Sequence, residues 1–228
     1  MNGTEKSSDK VIEYIETMIL AGKLKVDSRL PAERELAQNL NVSRTAVREG
    51  IRLLEVMGIV ESRQGSGNYI ARHFDQTLEQ VLTIMYALDE MSYEQIREFR
   101  DAVERQALVL AVQNADDAGK KELQQHLHGL LYGETEEEQT QSDRMLHLCL
   151  VRMSRNRLVI ANYLALNRII DRFIRDVRKR IRDESEEEFE AFQDIHKQLV
   201  EAIISGDLEQ GKDALDRHFS YIARGFDT

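Results

Sequence analysis

The stretch Val42-Ser43-Arg44-Thr45-Ala46-Val47-Arg48-Glu49-Gly50-Ile51-Arg52 decides how the first third of this chain folds. Ser43 has the side chain of an N-cap, whose hydroxyl accepts from a free backbone N–H in the first helical turn. Val42 and Val47 flank that start at the spacing of a hydrophobic staple. Val47, Ile51 and Leu54 recur at helical spacing and predict a buried stripe. Arg44, Arg48 and Arg52, four residues apart, share the opposite side of the cylinder with Thr45. Such an arginine row suits a polyanion, because arginine forks onto guanine in the major groove and helix N-termini favour phosphate. A solvated charged face has the same composition, so the flanking sequence has to decide.

Upstream, Val11, Ile12, Ile15, Met18 and Ile19 mark an amphipathic helix over residues 11–21, ended by Gly22, and the polar residues 1–10 are expected to fray. The chain's one proline, Pro31, precedes Ala32-Glu33-Arg34-Glu35-Leu36-Ala37 and reads as the first turn of a second helix. Asn39-Leu40-Asn41 is then a tight turn into the arginine helix. Helix, short turn and helix with exposed arginine on the second is a helix-turn-helix pattern. Downstream, Met57-Gly58 stops the arginine helix. Ile59 to Ile70 reads as two short strands around Gly65-Ser66-Gly67, a hairpin wing whose tip has little bulk to keep it from a groove.

Residues 11–71 resemble the winged-helix domain of GntR-type bacterial transcription regulators. The segments carrying the likeness are Ile19 to Gly22, LPAERELA at 30–37, VSRTAVREGIRLLE at 42–55, GIVE at 58–61 and GSGNYI at 65–70. The resemblance implies DNA contacts from Arg34, Ser43, Arg44, Thr45 and Arg48, with the tip Gly65, Ser66 and Gly67 entering the minor groove. Two positions depart from the pattern: Ala46 stands where relatives often have Thr or Pro, and Gly50 replaces the usual Ala.

The 228 residues carry a formal net charge of −10, which by itself argues against nucleic acid. The acid is unevenly placed. Residues 1–72 hold 11 Lys and Arg against 10 Asp and Glu, so the surplus lies beyond them. A single cysteine, Cys149, excludes a disulfide within the chain and fits a reducing compartment. No signal peptide or membrane-length apolar run appears, so a cytoplasmic protein without a membrane partner is expected.

From residue 75 the sequence has no proline and keeps helical periodicity, which predicts seven helices over 76–88, 92–113, 116–132, 139–154, 157–182, 187–205 and 207–224. The fold class is therefore mainly α. It comprises a winged helix-turn-helix over 1–74 (three helices and a small β-hairpin) and an all-helical bundle over 75–228. Asp143 and His147 lie four apart beside the apolar series Leu146, Leu150 and Met153. His196 falls in the series Phe189, Phe192, Leu199 and Ile203, and His218 in the series Leu215 and Ile222. One inward histidine is ordinarily a satisfied core residue. Three with an aspartate suit a divalent metal: zinc first, with nickel, iron or manganese as alternatives.

This second half resembles the FCD effector domain found behind GntR-type N-termini in the FadR subfamily, over residues 75–225. DRMLH at 143–147, HKQLVEAIISGD at 196–207 and ALDRH at 214–218 carry the likeness. It implies metal ligation by Asp143, His147, His196 and His218, and a small carboxylate effector held with the metal. Arg100, in Arg-x-x-Val-Glu, resembles a position that reaches the effector carboxylate; an ordinary Arg100–Glu104 helix pair is the alternative. Arg152 and Asn167 are further candidates for the pocket rim. His126 and His128 alternate with leucine and are expected on a helix surface.

The expected function is that of a ligand-responsive transcription repressor that binds a pseudo-palindromic double-stranded operator as a homodimer. Alternatives are a fatty-acyl-responsive or a metal-sensing regulator. A metalloenzyme using the Asp/His3 site is a third, but no motif supplies the acid or base that catalysis would need.

Overall fold

The computed structural model describes residues 6–71 and 74–224, so the part of the expected frayed N-terminus at residues 1–5 lies outside it. The chain divides into two compact units, Met1–Gln80 and Val81–Thr228. The junction falls inside a helix, which leaves no break in periodicity to mark it.

In the first unit α1 spans Ser7–Leu20, α2 Glu33–Leu40 and α3 Arg44–Val56, followed by β1 Val60–Arg63 and β2 Gly67–Ile70. Helix α1 begins four residues before the expected start because the Asp9 carboxylate accepts from the Lys6 N–H at 3.1 Å. Residues 7–10 are therefore helical and not frayed. Helix α2 begins at Glu33, two residues beyond Pro31, and closes on Asn41 in the left-handed region, with φ of 51°. Asparagine takes up that backbone more readily than other non-glycine residues. This makes the sharp turn into α3. The Ala46 N–H donates to Ser43 Oγ at 3.1 Å, so Ser43 caps the helix.

The strands pair antiparallel with Val60 opposite Ile70 and Arg63 opposite Gly67. Gly65 and Gly67 sit at φ of 72° and 112°, which a side chain would strain. Val11, Ile15, Leu36, Val47, Ile51, Leu54, Val60 and Ile70 form the core of this unit. Helices α1 and α3 approach so closely at Gly50 that a Cβ there would lie 2.8 Å from Val11 Cβ.

Among the described residues eight helices follow: α4 Phe74–Leu88, α5 Tyr93–Asn114, α6 Asp117–Tyr132, α7 Glu136–Met153, α8 Arg157–Ala165, α9 Asn167–Glu184, α10 Glu186–Ser205 and α11 Leu208–Ala223. The count is one above the expected seven because the run 157–182 breaks at Leu166 (φ −104°, ψ 12°). Helix α7 starts at Glu136, earlier than expected. Thr135 caps it, and Glu136, Glu137 and Glu138 sit in the first turn, where carboxylates favour the helix dipole. Helix α7 packs against α5, α6 and α9, while α10 and α11 pair with each other and with α5. The helix interiors meet in one core that includes Leu108, Leu146, Leu150, Phe173, Phe192, Leu199, Leu215 and Phe219. Polar groups inside this core are the exception.

Candidate functional site

Two sets of side chains stand out, one on each unit. In the first unit Arg34, Ser43, Arg44, Thr45, Arg48 and Arg52 are all exposed, opposite the buried Val47–Ile51–Leu54 stripe of α3. Ser43 faces solvent but its hydroxyl is already committed as the α3 cap. The tip residues Gly65, Ser66 and Gly67 are exposed, and Ser66 Oγ bonds the Tyr69 hydroxyl at 2.6 Å, bracing the turn.

Two features of this face escaped the sequence. The Glu33 carboxylate at the start of α2 accepts from Arg48 Nε at 2.8 Å and lies 3.9 Å from Arg44 Nη2. The exposed Arg29 guanidinium lies so close to Gly67 that a Cβ at that glycine would stand 3.3 Å from its Nε. No local pattern marks either residue, since each acts on a neighbour brought near only by the fold. Arg63 stacks over the Tyr69 ring at 4.3 Å and pairs with Asp27 and Glu61, which holds the tip end of the wing.

In the second unit the structure brings Asp143, His147, His196 and His218 together. Helix α7 supplies the first two, α10 the third and α11 the fourth. All four are buried, the three imidazoles at 1% exposure or less. One ligand atom from each histidine lies within 4.8 Å of the others. Asp143 Oδ1 stands 3.4 Å from His147 Nε2 and 3.7 Å from His196 Nε2. His147 Nε2, His196 Nε2 and His218 Nδ1 are buried with no hydrogen-bond partner. Buried polar nitrogens are ordinarily paired, so three orphans gathered from three imidazoles, two of them beside the Asp143 oxygen, make a donor set suited to a cation. Imidazole nitrogen and carboxylate oxygen in this number fit a divalent transition metal.

The surroundings orient these groups. His147 Nδ1 lies 2.6 Å from Glu104 Oε2, and His196 Nδ1 bonds the Phe192 carbonyl at 2.9 Å, which turns Nε2 of each ring inward. Arg178 Nη1 donates to Asp143 Oδ2 at 3.0 Å, leaving Oδ1 toward the histidines. The same guanidinium reaches Glu136 and Gln139 at 3.1 Å each, so a fully buried cation is compensated on three sides. Phe192 stacks on the His218 ring at 5.2 Å and meets His196 edge-on at 4.8 Å.

Charge states follow from this packing. Burial pushes His196 down to about 4, and burial with the neighbouring cations holds His218 well below the ordinary imidazole value. Both rings are therefore neutral near pH 7, the form that ligates. Burial alone would lower His147 too, but the Glu104 charge, with the carboxylates of Asp143 and Glu104 close to the ring, outweighs it and raises the value. Burial would raise Asp143, yet His196, His147 and Arg178 together hold it well below the usual carboxylate range.

The effector candidates separate. Arg100 is fully buried beside the cluster. Its Nε donates to Glu104 Oε1 at 2.9 Å, and its Nη2 lies at ion-pair range of the same oxygen without a hydrogen bond. The helix pair and the inward position are thus both true of it, and its guanidinium lies 5.5 Å from the Phe173 ring centre and 5.6 Å from that of Phe219. Arg152 is exposed and lines a surface hollow with Asn114, Asp116 and Cys149, so it is not brought to the histidines. Asn167 accepts from Arg144 at 3.4 Å on the side of α9 and shares no partner with the cluster. His126 lies on α6 beside Glu122 at 3.6 Å, also apart from it. Arg178 and Tyr163, whose hydroxyl donates to Glu104 at 3.4 Å, escape the sequence reading, which names Glu104 only as the helix partner of Arg100.

Comparison with known proteins bears on both units. Residues 7–70 match the bacterial regulatory proteins of the gntR family, and residues 95–221 match the FCD domain. A protein of Escherichia coli K12 named for regulation of an L-lactate dehydrogenase operon is 27% identical over 94% of this chain and 84% of its own length. The HTH-type transcriptional regulator LutR of Bacillus subtilis is 26% identical over 90% of this chain and 94% of its own. The Glc operon transcriptional activator of E. coli K12 is 47% identical over 62 residues, 27% of this chain and 24% of its own. Among solved structures, a GntR protein of Streptococcus agalactiae shares the fold, with a TM-score of 0.68 at 21% identity over 95% of this chain and 99% of that one.

Proposed function

Because the chain belongs to the GntR family of bacterial regulatory proteins and carries an FCD domain, which makes it a DNA-binding transcription regulator and not an enzyme, we propose that it is controlled by a small carboxylate held at a divalent metal in that domain. Asp143, His147, His196 and His218 would hold the ion. One observation carries this: His147, His196 and His218 each hold a buried ring nitrogen without a hydrogen-bond partner, their ligand atoms lie within 4.8 Å of one another, and Asp143 Oδ1 stands beside two of them. A bound divalent cation supplies a Lewis-acid centre to which carboxylate oxygens add. Zinc is the first choice for three imidazoles and one carboxylate, with nickel, iron or manganese behind it.

Arg100 would receive the effector carboxylate. Its Nη2 is a buried donor lacking a hydrogen bond, next to the metal ligands. The naming of one relative for an L-lactate dehydrogenase operon favours a small organic acid over a long acyl chain. So do the polar atoms converging here, since an acyl tail calls for an apolar lining. Arg44, Thr45 and Arg48 of α3 would read base edges, and the wing tip would follow the minor groove. Two copies, paired as a homodimer, would read a pseudo-palindrome. We take the protein to be a repressor that releases its operator when the effector binds. The effector shifts that equilibrium only by its preference for one state. Operator DNA as partner puts the protein in the cytoplasm; among the described residues no helix is long and apolar enough to cross a membrane.

The test combines metal analysis of the purified chain with a melting screen of small organic acids, with and without chelator, because a ligand of the folded state raises its stability by mass action. One equivalent of metal, lost in His196→Ala, and an acid that stabilises only the metal-loaded protein are expected. Full metal content in His196→Ala sinks the ligand assignment. A metal that alone alters DNA affinity makes the protein a metal sensor instead.

A further inference from the structure

Glu33 is the one acidic side chain recorded against the arginines of α3 among the described residues. Its Oε2 accepts from Arg48 Nε at 2.8 Å and lies 3.9 Å from Arg44 Nη2. The contact joins the first residue of α2 to the opening turns of α3 and is half open to solvent, with side-chain exposures of 65% for Arg48 and 30% for Glu33. No other hydrogen bond or ion pair engages the Arg48 guanidinium among the described residues.

A carboxylate is out of place on a surface that meets phosphate. It repels every DNA sequence alike, because phosphate attraction carries no base information. Pair energy does not explain it either, since an exposed ion pair contributes little to folding. Geometry gives the reason. With Nε engaged by Glu33, the two Nη groups of Arg48 remain for a fork onto guanine O6 and N7. A long side chain that would otherwise sample many rotamers is held in one, so less freedom is lost when it binds.

We propose that Glu33 is a specificity-determining residue of the DNA-binding activity. It positions Arg48 for base reading and cancels part of the arginine charge that would bind any duplex. Arg44 shares the same oxygen at longer range, so the filter acts on both. Glu33 also stands in the first turn of α2, where a carboxylate suits the helix dipole. That role alone would weaken all DNA binding equally and lower the melting temperature.

The two roles separate by experiment. The full-length native chain first enriches a duplex from a random library. Binding of that duplex and of a shuffled one is then measured across a salt series for the native chain, Glu33→Gln and Glu33→Ala. We expect Glu33→Ala to bind the shuffled duplex more tightly, with a steeper salt slope, while the ratio of specific to shuffled affinity falls about tenfold, the lower end of what one forked guanine contact discriminates. A library selected with Glu33→Ala should lose base preference at the position that Arg48→Ala also relaxes. Glu33→Gln keeps an acceptor without the charge, so it should gain shuffled affinity and retain more of the base preference. An unchanged ratio in Glu33→Ala overturns the proposal, as does equal weakening of both duplexes with a lowered melting temperature. A native chain that enriches no sequence removes base reading by Arg48, and the proposal with it.

Discussion

Glu104 Oε2 lies 2.6 Å from His147 Nδ1, while the ring's other nitrogen is the one that stands beside Asp143 Oδ1. A carboxylate in that place fixes the tautomer and makes the far nitrogen a better ligand. Glu104→Gln is therefore expected to weaken zinc binding about 10- to 100-fold without abolishing it. The same change leaves the buried Arg100 without its counter-charge, so the melting temperature should fall as well. Competition against a chromophoric chelator, on protein shown to be folded, measures the first effect. Unchanged affinity there would mean that Glu104 does not orient the ring for binding.

Arg48 projects from α3 with its side chain 65% exposed, so its loss should cost binding and not folding. Arg48→Ala should weaken binding to the preferred duplex by about 1–3 kcal/mol. Thermal unfolding should be unchanged. Equal affinity for that duplex, measured by fluorescence anisotropy at fixed salt, would remove Arg48 from base reading.

Gly50 invites a test in which two effects oppose each other. Alanine in mid-helix is favoured over glycine by about 1 kcal/mol. Its Cβ, however, would meet Val11 Cβ at 2.8 Å and the Ser8 carbonyl oxygen at 3.0 Å. Overpacking of this kind costs roughly 1–3 kcal/mol, so packing wins and Gly50→Ala should melt at a lower temperature. A raised melting temperature would show that α1 moves aside without cost.

Cys149 is buried and its thiol is pushed up to about 12 by desolvation. The folded thiol stays protonated and should resist iodoacetamide at pH 8, reacting only once urea opens the bundle. The linkage sign follows. The folded form keeps a proton that the unfolded form gives up above the ordinary thiol value, so this contribution is complete below that value and shrinks as pH climbs past it. Urea unfolding at pH 8 and pH 10, compared with Cys149→Ala, isolates it. Equal losses in the two proteins would count against a buried, protonated thiol.

Much of this was legible because the signals were local. Ser43, Val42 and Val47 announce the start of α3 within six residues, and Gly65 and Gly67 mark the wing by their backbone freedom alone. The four candidate ligands were legible because each interrupts an apolar series at helical spacing. By the same rule Arg100 and Glu104 stand on the stripe Ile96, Ala107, Leu108 and Ala111, and Arg178 on the stripe Ile174, Val177 and Ile181; all three are buried. Arg100 reads from the sequence as an effector contact or as the helix partner of Glu104, and Arg178 is passed over, because a charged side chain usually marks the outward face. What it pairs with inside depends on which helices meet, and periodicity carries no such information. The break at Leu166 left no trace either, since its residue type suits the middle of a helix as well as its end.

The enclosure of the three imidazoles, at 1% exposure or less, governs time as well as place. A metal ion or acid bound there would reach and leave such an interior through local opening of the packed helices, and openings of a packed core are rare events. Once opening limits exchange, adding more free ligand no longer speeds it. If the proposed effector binds there, its occupancy averages the surroundings over many such events, and a brief swing in supply passes without reaching the promoter.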